Sequence, residues 1–449
     1  MRRSALFAVC LAALLAALAA APVAPVAQAQ IMGLYYKEEV KDGRVYVFNT
    51  PEAYRSWNDS GEMGKAITLV GRGENGMTVI AENETAADLY FFKHNLEGYE
   101  RETPAPPRLP FDVSWKDGKT TISSKNASLT LSNRVQVRFT QEMPEVGDDV
   151  GSFRIRRAKT KFEGWVYSKN LKYELQMNWP SDIVLEDANL NYDFKGDKNV
   201  QLKFGQFKVP FGRQELTSSG SQEFVDRSAV SNTFARGRDI GVQLWGTPAG
   251  GRVDWRVGLF NGNGINTSRN DNDKYQVDAR VTFQPFGDVK YSEGDFESSG
   301  KPLFAIAAQY ESNERPVGAA GANPAHTADT EIVGGDVVFK YKGLFVFAEY
   351  FDASVDRTIL SDFDTDGYNL QVGYFVVPKK VELALRLAEL DPNAGVSNDE
   401  REERGVAFGY FFNKHAYKLQ ADYRQLENNI PAGGSVTNDE FRLQYQIIF

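Results

Sequence analysis

The stretch Asn438-Asp439-Glu440-Phe441-Arg442-Leu443-Gln444-Tyr445-Gln446-Ile447-Ile448-Phe449 decides the fold. Phe441, Leu443, Tyr445, Ile447 and Phe449 share one parity, and Glu440, Arg442, Gln444 and Gln446 share the other. Successive side chains of a strand point to opposite faces, so this strand has a fully apolar face backed by a polar one. A strand of about ten residues with an aromatic end suits the closing strand of a membrane-spanning barrel, lipid outside and water inside. Such a strand zips against the first barrel strand, expected near Ala127, and removes the sheet edge.

The amino terminus fits export. Met1-Arg2-Arg3 is followed by an apolar run from Ala5 to Ala21 and by Ala27-Gln28-Ala29, the pattern of a cleaved secretory signal over residues 1–29. The single cysteine, Cys10, lies inside that segment, so disulfides and thiol chemistry are not expected in the mature chain. Beyond it no apolar run approaches the ~18 residues of a spanning helix. The mean hydropathy of −0.42 is that of a soluble protein, but half of each barrel strand faces water. The 20 Tyr and 30 Phe suit interfacial girdles. Formal net charge is −9; without Arg2 and Arg3 the balance is 49 basic against 60 acidic residues, or −11. That argues against nucleic acid as a partner.

Residues 30–110 read as a small α+β region ending in a stiff linker, Pro104 to Pro110. Val45–Phe48 is a short strand. Thr50-Pro51-Glu52 opens a helix with a Thr cap and Pro at the first position. Ala66–Val70 and Met77–Ala81 form a hairpin, and Thr85-Ala-Ala-Asp88 caps a second helix. Residues 111–449 form the barrel. Strands are expected at 127–140, 151–167, 171–179, 187–194, 199–208, 238–246, 252–260, 274–284, 302–311, 330–341, 343–352, 366–376, 380–389, 403–412, 415–425 and 438–449. The fold class is thus all-β: a transmembrane antiparallel up-and-down barrel of about 16 strands with a small periplasmic N-terminal region. Short turns such as Lys342-Gly343 alternate with long loops, the 284–302 connection excepted. The 209–237 loop is the longest and the best candidate to fold inward.

Cations concentrate on the first two barrel strands. Leu129, Leu131, Val135, Val137 and Phe139 face lipid by parity, and Arg134 and Arg138 face the lumen. In Arg154-Ile-Arg-Arg-Ala-Lys-Thr-Lys161 one parity cannot hide every charge. A bulge near Arg156-Arg157 turns Arg154, Arg156, Arg157, Lys159 and Lys161 inward together; otherwise the end near the membrane surface snorkels. Seven cations on adjacent strands raise the local anion concentration, and arginine's planar fork suits oxyanions. Lys208 and Arg213 flank the inward loop. Lumen parity also supplies acids at Glu174, Asp187, Asp193, Asp254, Asp278 and Glu382, which fits a general, weakly selective pore as the alternative.

Phe204-Gly-Gln-Phe-Lys-Val-Pro-Phe-Gly-Arg-Gln-Glu-Leu-Thr-Ser-Ser219 closely resembles the signature of the phosphate-selective porins of the O and P type. Arg227-Ser228, Gly237-Arg-Asp-Ile-Gly-Val242 and Arg154-Ile-Arg-Arg-Ala158 fit the same family. The resemblance spans Ala127 to Phe449. It implies a homotrimeric sixteen-stranded outer-membrane barrel with inward loops and an Arg/Lys path for small anions, with Arg156 and Arg157 matching the paired constriction arginines. Lipid and lipopolysaccharide are the implied surroundings. No cofactor or metal is expected.

Two motifs fail on context. Gly71-Arg-Gly-Glu-Asn-Gly76 lies between two short strands, not between strand and helix. Asp362-Phe-Asp-Thr-Asp-Gly367 has Gly373 where a calcium loop needs Glu. His94, His326 and His415 have no evident Ser and acid partners, so an enzyme is not expected. Residues 30–110 carry no residue-level signal, and periplasmic or peptidoglycan contact is the remaining role.

Overall fold

The computed structural model describes residues 35–98, 111–316 and 327–449. The signal segment 1–29, the Pro104–Pro110 linker and His326 lie outside the described residues. The chain divides into two compact units, Met1–Pro107 and Arg108–Phe449.

In the first unit, β1 (Lys37–Lys41), β2 (Arg44–Phe48), β3 (Ile67–Leu69) and β4 (Thr78–Ala81) form a sheet of order β1-β2-β4-β3. Helix α1 (Pro51–Ser60) starts at Thr50, whose hydroxyl accepts from the Ala53 amide at 3.3 Å, and ends on Gly61 at φ 74°. Helix α2 (Glu84–Lys93) is capped by Asn83 rather than Thr85: the Asn83 side chain accepts from the Ala86 amide at 3.0 Å. Asn is as good a cap as Thr, and it comes first in the chain. Val45, Val47, Val79 and Ala81 bury one sheet face under Ala86, Ala87, Tyr90 and Phe91 of α2. Trp57 of α1 covers Tyr46 and Phe48 on the other, at ring distances of 4.9 and 5.4 Å.

His94 ties this unit together. Its Nε2 lies 2.9 Å from Glu38 and its Nδ1 3.1 Å from Glu74. The hydrogen bond to Glu38, and then that to Glu74, raise its pKa above the usual value although burial opposes them. A histidine raised by folding stabilises the fold fully below its unfolded pKa of about 6.5 and loses that contribution as pH rises through the higher folded value. Amide protection in α2 and β1 is therefore expected to weaken from pH 6 to pH 8, and His94→Gln to flatten that slope. Hydrogen-exchange protection factors check this, and a slope that survives the substitution contradicts it.

The second unit is a closed barrel of sixteen antiparallel strands. They are β7 (Ala127–Met143), β8 (Val150–Val166), β9 (Leu171–Asn178), β10 (Val184–Asp193), β11 (Gln201–Lys208), β12 (Arg238–Gly246), β13 (Val253–Phe260) and β14 (Gln276–Phe283). There follow β15 (Leu303–Pro316), β16 (Thr327–Tyr341), β17 (Leu344–Arg357), β18 (Phe363–Val377), β19 (Val381–Asp391), β20 (Arg401–Asn413), β21 (Tyr417–Asn429) and β22 (Ser435–Ile448). Every strand expected from the alternation is present. Its surface is inverted relative to a soluble protein. On β19, Leu383, Leu385 and Leu387 are half exposed while Glu382 and Arg386 are fully buried, because the apolar parity faces lipid. Tight turns close one end. Lys342 and Gly343 both have positive φ, which matches the twist of a two-residue hairpin.

The seam differs from expectation. The amide and carbonyl of Phe449 pair with Asn133 at 2.9 and 2.6 Å, six residues past Ala127, and β22 continues along β7 to Met143. A hairpin, β5 (Asp112–Lys116) and β6 (Lys119–Ser123), covers the start of β7 by pairing Thr120–Ser123 with Ser128–Leu131. It turns at Asp117-Gly118, both at positive φ. β22 therefore ends where β6 begins, and the first strand keeps no bare edge there.

Candidate functional site: a cationic lumen cavity

The 209–237 loop leaves β11 and crosses the lumen. It carries α3 (Arg213–Leu216) and α4 (Ala229–Phe234). Its apolar residues explain the direction. Val209, Phe211, Val230 and Phe234 are buried against Ile332, Phe351, Ala353, Ala388 and Leu390 on the inner wall. Phe351 receives Phe211 at 5.5 Å and Phe234, stacked, at 5.2 Å. Burying each such side chain is worth about 1.5–3 kcal/mol. Gly212 turns the chain at φ 68°, and its amide donates to Gln309 at 2.9 Å.

The 284–302 connection also folds inward, from the short-turn end. Its Glu293 amide donates to the Ser221 carbonyl at 2.8 Å, and its carboxylate accepts from the Glu223 amide at 2.7 Å. Two inward segments thus meet and fill the lumen beside β15–β22. Beside β7–β13 a cavity of about 410 Å³ remains.

That cavity is lined by ten cations and three acids. Arg134 comes from β7. Arg156, Arg157, Lys159 and Lys161 come from β8. Lys203 and Lys208 (β11), Arg227 (loop), Arg238 (β12) and Arg256 (β13) complete the set, against Glu174, Glu186 and Asp187. A bulge on β8 makes this grouping. Gln136 pairs with Arg157 but Val137 pairs with Ile155, which leaves Arg156 as the extra residue. A second register shift on β10, between Leu185 and Asp187, turns Glu186 inward as well.

Most of these cations have partners. Lys159 lies 2.5 Å from Glu186, Lys161 2.8 and 2.9 Å from Glu163 and Glu174, and Arg238 2.7 Å from Asp187. Asp226, on the inward loop, accepts from Arg138 at 2.5 Å and Arg157 at 3.2 Å, with Arg156 at 3.6 Å. Lys208 lies 3.3 Å from Glu215 and donates to loop carbonyls. Arg134 is different. Its guanidinium donates to Ser218 and Ser219 at 2.9 and 3.2 Å, and among the described residues no carboxylate lies within 4.0 Å of it. Lys203 likewise has no carboxylate at that range among the described residues.

Of the nine cations expected from the sequence, Arg134, Arg156, Arg157, Lys159, Lys161 and Lys208 line the cavity. Arg138, Arg154 and Arg213 do not. Arg138 is buried and held by Asp226 and Gln444. Arg154 is exposed at the long-loop end of β8, opposite Arg138. Arg213 is buried, donates to the Val289 carbonyl at 2.9 Å and stacks on Tyr291 at 4.6 Å, so it pins one inward segment to the other. Lys203, Arg227, Arg238 and Arg256 were not expected on the path. Arg256 shares the parity of Asp254, already placed in the lumen, and pairs with Trp245, whose other neighbour is Gln201.

The family described as phosphate-selective porin O and P matches residues 130–447, well over half the chain. The anion-selective porin from Comamonas acidovorans superposes with a TM-score of 0.53 at 14% identity, over 72% of this chain and 100% of that one. The outer membrane channel DcaP of Acinetobacter baumannii gives 0.51 at 15% identity, over 73% and 99%. These likenesses concern the fold. An uncharacterized protein of Aquifex aeolicus is 21% identical over 271 residues, which span 54% of this chain and 64% of that relative's length. A barrel of this family sits in the bacterial outer membrane and is built as a channel rather than an enzyme. Sequence match and fold agree, and the chain belongs to the phosphate-selective porin O and P family.

Proposed function

We propose that the protein is a passive outer-membrane porin that prefers anions, phosphate or related oxyanions among them. The observation that carries this reading is the ratio of ten cations to three acids around the open cavity, in a chain whose total charge is negative. A lumen lined by one sign of charge concentrates ions of the other sign. The cations work as a set: Arg134 and Lys203 offer unneutralised charge, while the ion-paired Lys159, Lys161 and Arg238 hold the wall in register. The general-pore alternative rests on Glu174, Glu186 and Asp187.

On this reading residues 1–29 are removed, residues 30–110 lie in the periplasm, and the barrel works as a homotrimer in lipopolysaccharide-bearing membrane. Deleting residues 30–110 is then expected to leave single-channel conductance unchanged. Loss of the channel would overturn that division of labour. The oxyanion preference is tested by titrating phosphate into a chloride-carrying channel. A current that falls and saturates supports a site in the path, and a current that follows ionic strength alone argues for the weakly selective pore.

A further inference from the structure

A second cavity, of about 840 Å³, adjoins the cationic one and shares Glu174 and Lys203 with it. It opens toward the short turns, where Lys198, Asn199, Thr247 and Gly250 line it. Its wall is unlike that of its neighbour. Paired residues Trp165, Lys172, Asn191 and Lys203 form one row across β8 to β11, and Trp245 stands opposite Gln201 in the next. The Trp245 indole donates to the Asn191 side chain at 2.7 Å, which lays its ring across β11.

Two buried donors in this wall have no partner among the described residues: Asn189 Nδ2 and Gln201 Nε2. Asn189 is 7% exposed and Gln201 1%. The Gln201 oxygen is already taken by Asn191 at 2.9 Å, so the unused donor is fixed in orientation. An unmet buried donor is costly, and an acceptor in the cavity would offset that cost. Lys203 adds an ammonium, and among the described residues neither it nor Lys172 has a carboxylate within 4.0 Å. Of the four acids in the cavity lining, Glu163 and Glu174 share Lys161, with Lys119 also on Glu163, and Asp197 and Asp288 are exposed at the short-turn end. Indole faces beside unpaired donors suit a solute that is apolar and flat at one end and anionic at the other.

We propose that this vestibule binds aromatic oxyanions: a ring carrying one carboxylate or phosphate group, the ring against Trp245 and Trp165, the oxyanion on Gln201, Asn189 and Lys203. The inference rests on the anion-porin reading and adds a solute class that bare phosphate does not satisfy.

The test is block of chloride current through the full chain in planar bilayers, with benzoate against acetate and phenyl phosphate against inorganic phosphate. Each aromatic compound is expected to half-block at a concentration about fivefold below its partner. Trp245→Ala and Trp165→Ala should abolish that difference, Trp245→Phe should keep it, and Lys203→Gln should weaken benzoate and acetate alike. Equal block by benzoate and acetate in the unsubstituted protein overturns the proposal, as does a preference that survives both alanine variants. The unsubstituted comparison decides even where a variant fails to fold. A channel that favours chloride over potassium but treats benzoate and acetate alike leaves the anion-porin reading standing and removes only this one.

Discussion

Replacing Arg156 and Arg157 together by alanine is expected to lower the anion-over-cation permeability ratio about tenfold. Both side chains reach the cavity because of the β8 bulge. A unit charge about 6 Å from a permeating ion is worth ~0.7 kcal/mol at the dielectric of water and more in a narrow lumen. Its removal acts on anion and cation with opposite sign, while salt screening takes back part of the effect. Asp226 keeps Arg138 at 2.5 Å and Arg442 at 3.8 Å, so the loop it carries stays compensated. Conductance should change little, because the barrel ladder is untouched. Reversal potentials of the variant read the ratio directly, and an unchanged ratio would make these arginines scaffolding.

Phe211→Ala combined with Phe234→Ala is expected to release the 209–237 loop from the wall. Conductance should rise and selectivity fall. Each truncation costs about 3–5 kcal/mol, and both act on one partner, Phe351. The loop would then rest on Val209, Val230 and Phe224 and on polar pins, the Asp226 ion pairs and the bonds from Gln214, Glu223 and Ala229 to Glu293 and Glu403. Phe153→Ala serves as the control, since Phe153 is 81% exposed on the outer parity. Protease sensitivity of residues 209–237 should rise with conductance. Unchanged conductance would show that the remaining contacts suffice.

The barrel was legible because its signal is local. Alternation along each strand names two faces, and the closing strand shows it without a break. The seam was not legible to the residue, because β6 competes with β22 for the edge of β7. The Asp117-Gly118 turn between Val113/Trp115 and Ile122 was the available sign of that hairpin. In the site, parity correctly sent Arg138 inward but could not say that Asp226 waited there. The same parity, applied to β11 and β13, identifies Lys203 and Arg256. The inward 284–302 segment had no local sign. Val289 and Glu293 are buried by walls and by a loop from elsewhere in the sequence, and no periodicity encodes that.

Whether the lumen favours anions is read from the reversal potential of the reconstituted full chain under a potassium chloride gradient. The ten cations of the cavity predict a potential of the sign set by chloride. A potential of the sign set by potassium would contradict an anion-preferring lumen.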